Sequence, residues 1–307
     1  MKRGLRDATG RGVLTSLTRI SEVKGYTVDG QDTIPCPGVL YYRGYDVRDL
    51  VQGALADKRF GFEEVFYLLR EDKRFTDLEA RALDAALILH ADHGSNNSTF
   101  TNVVVASTGS DFFSTISASI GSLKGPRHGG ANQRVVEMMA DMQKEIGLEP
   151  SDEQLREILM RLLNRDFYDH AGLIYGIGHA IYTLSDPRAE IIRSYCERLA
   201  KEKGREKEYT FYVRFEKMAI QIIKEVKGID ACANVDLYSG FAYTMLNIPQ
   251  ELYTPLFVCS RICGWLAHNI ENKLYDGRIM RPATRYVGEL HDYVNMEERK
   301  DEDCYRI

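Results

Sequence analysis

SDEQLREILMRLLNR, from Ser151 to Arg165, reads as successive turns of a single amphipathic helix. Ser151 followed three positions later by Gln154 is a capping-box pattern, in which each side chain serves a backbone N–H that the helix start leaves without a partner. Leu155, Ile158, Leu159, Leu162 and Leu163 then recur at i, i+3, i+4, i+7 and i+8, so one face is apolar and the other charged. The spacing predicts a helix that buries one side and stops near Arg165.

Similar signals recur on the C-terminal side. Asp186 before Pro187 predicts another helix start, because proline in the first helical position lacks only an N–H that would be orphaned there, and Asp186 can cap. Arg188 then falls in the first turn, where a cation opposes the helix dipole unless it faces an anion. Phe215, Met218, Ala219, Ile222 and Ile223 share one side of a third helix that ends near Gly228. Pro249 to Leu274 reads as one more long helix, with Leu256, Cys259, Ser260, Cys263 and Ala267 close to one face. Toward the N-terminus the period changes once. In GVLYYRGYDVRDL, Val39, Tyr41 and Arg43 alternate against Leu40 and Tyr42, which predicts a short strand or hairpin. No repeat or low-complexity linker interrupts the chain. The fold class is all-α with a small β element near the N-terminus.

Composition bounds the function. The 307 residues are 44% apolar, enough for about two domains with a substantial core. Forty basic against 45 acidic residues give a formal charge of −5, and the densest basic run, Lys201 to Lys207, also holds glutamates. Nucleic acid is not an expected partner. The opening MKRGLRDATGRG is charged without the apolar run of a signal peptide, and no stretch is apolar enough to span a membrane, so a cytoplasmic location without membrane partners is expected. Cys36, Cys196, Cys232, Cys259, Cys263 and Cys304 form no CxxC pair, and three fall in apolar helical patterns, so reduced thiols are expected rather than disulfides or a metal centre.

Three glycine-punctuated loops hold the reactive side chains: His128 in GPRHGGAN, His179 in YGIGHAIYTLSDPRA and Asp236 in ANVDLYSG. Glycine and proline end helices, so each side chain falls at a helix terminus, where it can face a shared cleft. One carboxylate and two imidazoles suffice to take a proton from carbon and polarise a carbonyl. The competing reading of each residue alone is a hydrogen-bonded structural group. His90, Asp92 and His93 stand close enough to imitate a metal cluster, but no further ligand lies nearby in sequence, and no metal is expected.

Six ordered segments carry a resemblance: YYRGYD (Tyr41 to Asp46), LHADHGSNNSTF (Leu89 to Phe100), SLKGPRHGGAN (Ser122 to Asn132), GLIYGIGHAIYTLSDPRA (Gly172 to Ala189), NVDLYSGFAY (Asn234 to Tyr243) and the run from CSRICGWLAH through IMRPATRYVG. The chain resembles the citrate/2-methylcitrate synthase family. That resemblance implies a two-domain helical fold, with a discontinuous large domain (1–129 and 246–307), a small domain (130–245) and a homodimer. It implies condensation of acetyl-CoA with oxaloacetate to citrate and CoA, with Asp236 as base, His128 as donor to the enolate and His179 as donor to the ketone. His93, Arg188, Arg261 and Arg281 are implied as oxaloacetate ligands, Arg281 reaching into the neighbouring subunit's site. Ile174, Tyr175, Gly176 and Gly178, with the turn from Gly125 to Ala131, are implied to hold CoA as a co-substrate, with no permanently bound cofactor. Propionyl-CoA is the alternative acyl donor, and a catalytically impaired binding or regulatory protein is the alternative outside the enzyme class.

Three departures stand out against that family. Ala180, Ile181, Tyr182 and Thr183 follow the second histidine where many relatives place a basic residue suited to a CoA phosphate, and Gly94 stands where a glutamate is usual. Between Phe60–Arg70 and Phe75–Gly94, where relatives insert several further helices, only Glu71 to Arg74 intervene. Exposed apolar surface is the expected consequence.

Overall fold

In the computed structural model, which describes residues 18–298 apart from 31, 72–74, 127 and 276, the chain is predominantly helical from Val47 onward. The charged N-terminal stretch, Arg127, the junction residues 72–74 and Cys304 lie outside the described residues. Ahead of the helices lies an antiparallel sheet of β1 (Ser21–Asp29), β2 (Asp32–Tyr42) and β3 (Tyr45–Asp46), in that spatial order. The expected turn falls at Arg43 and Gly44. Strand β1 was not legible in the sequence, because Gly25 breaks its alternation at the point where the register shifts between Lys24 and Tyr26.

The helices follow as α1 (Val47–Ala56), α2 (Phe62–Glu71), α3 (Asp77–His90), α4 (Asn97–Ala106), α5 (Phe112–Leu123), α6 (Ala131–Ile146), α7 (Asp152–Leu163), α8 (Pro187–Lys203), α9 (Glu206–Lys227), α10 (Val235–Met245) and α11 (Tyr253–Leu274). Helix α7 starts on the expected capping box: Gln154 N–H donates to Ser151 Oγ at 3.3 Å and Ser151 N–H to Gln154 Oε1 at 2.9 Å. Its Leu155, Ile158, Leu159 and Leu162 are buried. Helix α8 opens on Pro187 with Asp186 as its cap, and α9 stops at Gly228, which takes the left-handed conformation at φ 66°. The expected helix from Pro249 is divided. A 3-10 turn covers Gln250–Leu252, and α11 begins at Tyr253. A regular helix from Pro249 would require an N–H from Pro255, which proline lacks.

Two apolar clusters share α11. The larger runs through α3 and α6 to α10 and takes in Tyr253 and Leu256; the smaller gathers Ile116 and Leu123 of α5 with Phe257 and Trp265. Each fully buried large apolar side chain contributes about 1.5–3 kcal/mol, so α11 is anchored from both sides. Beside the short junction, Phe60 and Phe62 stand 93% and 74% exposed, apolar surface of the kind the sequence leads one to expect there.

Candidate active site

The loops carrying His179 and Asp236 are clasped together by backbone. Ile177 and Ala233 form an antiparallel bridge, flanked by Gly178 N–H to Cys232 C=O at 2.7 Å and Asn234 N–H to Gly176 C=O at 2.9 Å. Asn234 caps α10 by accepting from Asp236 N–H (3.0 Å) and donates from its side chain to Gly178 C=O at 2.9 Å. Gly176, at φ 85°, lies where an added Cβ would press on Leu237, so only glycine lets the loop pass this close to α10. On the opposite wall, Gly264 of α11 serves the same purpose: a Cβ there would collide with the Ala91 carbonyl and Asp92. The His93 loop can therefore lie directly on α11, one turn from Arg261.

Between these walls lies a cavity of about 950 Å³, lined by His93, His128, His179, Arg188, Asp236 and Arg261 among others. Six of the seven residues expected to act on substrate thus meet at one cleft. Arg281 does not. It is exposed on the extended segment that follows α11 and is not among the residues lining this chain's cleft. Of the four residues expected to hold CoA, Gly178 lines the cleft, whereas Ile174 is buried in the core and the Tyr175 hydroxyl donates to Asp169 at 2.6 Å. The carbonyls of Ile174, Gly176 and Gly178 already accept internal hydrogen bonds.

The imidazoles are held as neutral donors. His179 Nδ1 accepts from the N–H groups of Ile181 (3.0 Å) and Tyr182 (3.1 Å), which leaves the ring hydrogen on Nε2. Ser98 N–H donates to His128 Nε2 at 3.3 Å, with the Ser98 hydroxyl 2.9 Å from the same nitrogen, so the His128 hydrogen resides on Nδ1. Burial, reinforced by the charge of Arg261, lowers His128 to about 4. Burial and the Arg188 charge lower His179 and His93 as well. A ring that is neutral at pH 7 donates a hydrogen bond without giving up its proton.

The charged groups are unequally satisfied. Arg188 forms a two-point contact with its own cap residue, Nε to Asp186 Oδ1 at 3.0 Å and Nη2 to Oδ2 at 2.7 Å. Burial pushes the Asp186 carboxyl up, but the arginine fork outweighs it and the net shift is downward. Arg261 is 1% exposed. Its Nε donates to His90 C=O at 2.6 Å and its guanidinium lies over the Phe257 ring at 4.8 Å, yet no carboxylate is within ion-pair distance among the described residues. Burial lowers it to about 10. Asp236 Oδ1 is buried without a hydrogen-bond partner, and burial raises this carboxyl to about 6 against the opposing pull of Arg188 and Arg261.

The three residues that imitate a metal cluster point to separate partners: His90 Nδ1 to Ala86 C=O (2.6 Å), Asp92 to His268 (3.2 Å) and His93 to Tyr182 (3.2 Å). Sequence reading missed Ser98 and Asn96. Ser98 Oγ donates to Asn96 Oδ1 at 2.8 Å and accepts from Trp265 Nε1 at 3.2 Å, so the support of His128 is itself tied to α11. The available signal was Asn96 as a helix cap, three residues before Thr99, whose N–H it accepts at 3.2 Å.

Comparison with known proteins points to one family. The family model described as citrate synthase, C-terminal domain, matches residues 71–283. The citrate synthase of Deinococcus radiodurans is 40% identical over 226 residues, covering 73% of this chain and 56% of that protein. The 2-methylcitrate synthase of Shewanella oneidensis is 40% identical over 223 residues, covering 73% and 54%. Among solved structures, the Thermoplasma acidophilum citrate synthase in ternary complex with carboxymethyl coenzyme A and oxaloacetate superposes with a TM-score of 0.64 at 33% identity, over 78% of this chain and 60% of that one. The chain spans about half the length of the curated relatives it matches. A shared family model across most of the chain, at this identity, makes the protein a member of the citrate synthase family.

Proposed function

We propose that this protein condenses an acyl-CoA with oxaloacetate, giving citrate and CoA when the acyl group is acetyl. One observation carries the reading: Arg261, fully buried, and Asp236, with a buried and unpartnered Oδ1, face one cleft and neither is ion-paired among the described residues, beside two imidazoles held as neutral donors. A buried arginine without an acidic partner is costly unless an anion arrives, and a dicarboxylate supplies that partner. Arg261, Arg188 and His93 hold the keto acid, and His179 Nε2–H donates to its ketone oxygen. Asp236 takes a proton from the carbon next to the thioester while His128 Nδ1–H steadies the enolate oxygen. The new C–C bond forms between that carbon and the ketone carbon as the C=O π pair moves onto oxygen, which takes up a proton equivalent to the one Asp236 removed, and water then cleaves the thioester to release CoA as its thiol and leave a new carboxylate.

Arg281 completes the carboxylate clamp from a neighbouring subunit of a homodimer. The exposed Phe100 and Phe113 of the α4–α5 pair support self-association. Domains 1–129 with 246–307, and 130–245, close on the cleft between them, with Gly178 and the Gly125 to Ala131 turn receiving CoA, and the protein acts in the cytoplasm. Among the described residues no helix is long and apolar enough to cross a membrane.

Propionyl-CoA is the second donor to try, since the 2-methylcitrate synthase and citrate synthase relatives are equally similar. Thiol release from acetyl-CoA and from propionyl-CoA, each with oxaloacetate, tests the reading. Oxaloacetate-dependent CoA release is expected, and its absence with both donors leaves the binding-protein alternative.

A further inference from the structure

Tyr182 lies just behind the cleft and touches both substrate-facing imidazoles of its wall through three different groups. Its backbone N–H donates to His179 Nδ1 at 3.1 Å. Its ring stacks on His179, with centroids 4.7 Å apart and planes 29° apart. Its hydroxyl is 3.2 Å from His93 Nε2, and its ring meets the His93 ring edge-on at 5.4 Å. The two imidazoles are themselves perpendicular, 5.0 Å between centroids. The Tyr182 carbonyl in turn accepts from the Cys232 thiol at 3.6 Å, which ties the residue to the loop leading into Asp236.

We infer that Tyr182 is a positioning residue that fixes the orientation of His179 through its ring and the tautomer of His93 through its hydroxyl. A neutral imidazole has one donor and one acceptor nitrogen, and the bond made by one decides the role of the other. With the tyrosine O–H donating to Nε2, the His93 hydrogen sits on Nδ1 and that nitrogen is a donor, as a ligand of a carboxylate must be. Without the hydroxyl both tautomers are open, and part of the population presents a lone pair to the anion. The stacked ring also limits His179 to one plane, which matters because a donor bond weakens steeply with misalignment.

The kinetic part of this inference rests on the proposed condensation; the tautomer part does not. Tyr182→Phe keeps the backbone and the stack and removes only the hydroxyl. Tyr182→Leu removes both hydroxyl and stack. Ring-nitrogen NMR of the histidines in the intact protein is the readout independent of turnover. In Tyr182→Phe, His93 is expected to lose its predominance of the Nδ1–H form while His179 keeps its Nε2–H signature; in Tyr182→Leu both change. In the thiol-release assay Tyr182→Phe raises the KM for oxaloacetate about three- to tenfold, the worth of one hydrogen bond, with kcat near wild type, and Tyr182→Leu lowers kcat as well. Unchanged His93 nitrogen signals in Tyr182→Phe overturn the inference whether or not the wild-type protein turns over. A wild-type protein that releases no thiol, but shows the tautomer change, removes the condensation reading and leaves the positioning role standing.

Discussion

Ser98 N–H donates to His128 Nε2 at 3.3 Å, while the Ser98 hydroxyl, 2.9 Å from the same nitrogen, gives its own hydrogen to Asn96 Oδ1 at 2.8 Å. The same hydroxyl accepts from the buried Trp265 indole. Ser98→Ala keeps the backbone bond to His128 and loses the hydroxyl's bonds to Asn96 and Trp265. We expect kcat to fall about tenfold, and the orphaned indole N–H to cost about 1–3 kcal/mol. Steady-state thiol release and thermal unfolding measure the two effects on one sample.

Asp236→Asn is expected to lower kcat by at least about a thousandfold, as loss of a general base does, while oxaloacetate binding measured by calorimetry stays within a few fold. Near-normal turnover in this variant rules out the base assignment.

The Asp236 carboxyl, lifted by burial to about 6, must be ionised to take a proton. kcat/KM should therefore rise with pH through about 6 and level off above it. Stability runs the opposite way. Between the ordinary aspartate value, about 4, and about 6 the folded state holds a proton that the unfolded chain has released, so stability declines as pH rises through that window and stays lower above it. Asp236→Asn escapes the penalty. Its melting temperature should exceed that of wild type at pH 8, by no more than about 3 kcal/mol in stability, and the gap should close at pH 4. A constant gap across pH would contradict the assignment of the raised carboxyl to Asp236.

Arg261 poses the sharpest conflict between stability and function. Replacing a buried unpaired guanidinium by an apolar side chain of similar length removes a desolvated charge. Arg261→Met should melt no lower than wild type, yet raise the KM for oxaloacetate about a hundredfold through loss of a charge-assisted contact. A large loss of stability in this variant would mean that the arginine serves the fold instead.

Arg281→Ala should also raise that KM, although the residue is not among those lining its own chain's cleft. If it acts across a dimer, mixing Arg281→Ala with Asp236→Asn chains at limiting oxaloacetate should recover activity above the sum of the separate proteins. No recovery after confirmed subunit exchange counts against action in trans.

The helical framework was legible wherever the signal was local. Ser151 and Gln154 announced α7, and Asp186 with Pro187 announced α8, because caps and proline act within one turn of their own position. Six of the seven expected substrate-facing residues meet at one cleft, five of them in glycine- or proline-marked loops or at helix starts, with Arg261 on α11 itself. What depended on pairing between distant segments was not legible. Strand β1 exists through its ladder with β2, and the Ile177–Ala233 bridge joins segments that have no mark of each other in sequence. Arg188 could be read as facing an anion; that the anion at hand is Asp186, two residues away, required the side-chain geometry. Tyr182 and Ser98 looked like ordinary loop and helix-start residues because their importance lies in which imidazole they touch.

The clasp between Gly176–Gly178 and Cys232–Asn234 is built almost wholly from main-chain atoms. Amide hydrogens and carbonyl oxygens survive nearly every replacement of a side chain, so the spacing between Asp236 and His179 is insulated from drift in the residues around it. Such a yoke lets the walls of the cavity be recut while these two side chains stay in step.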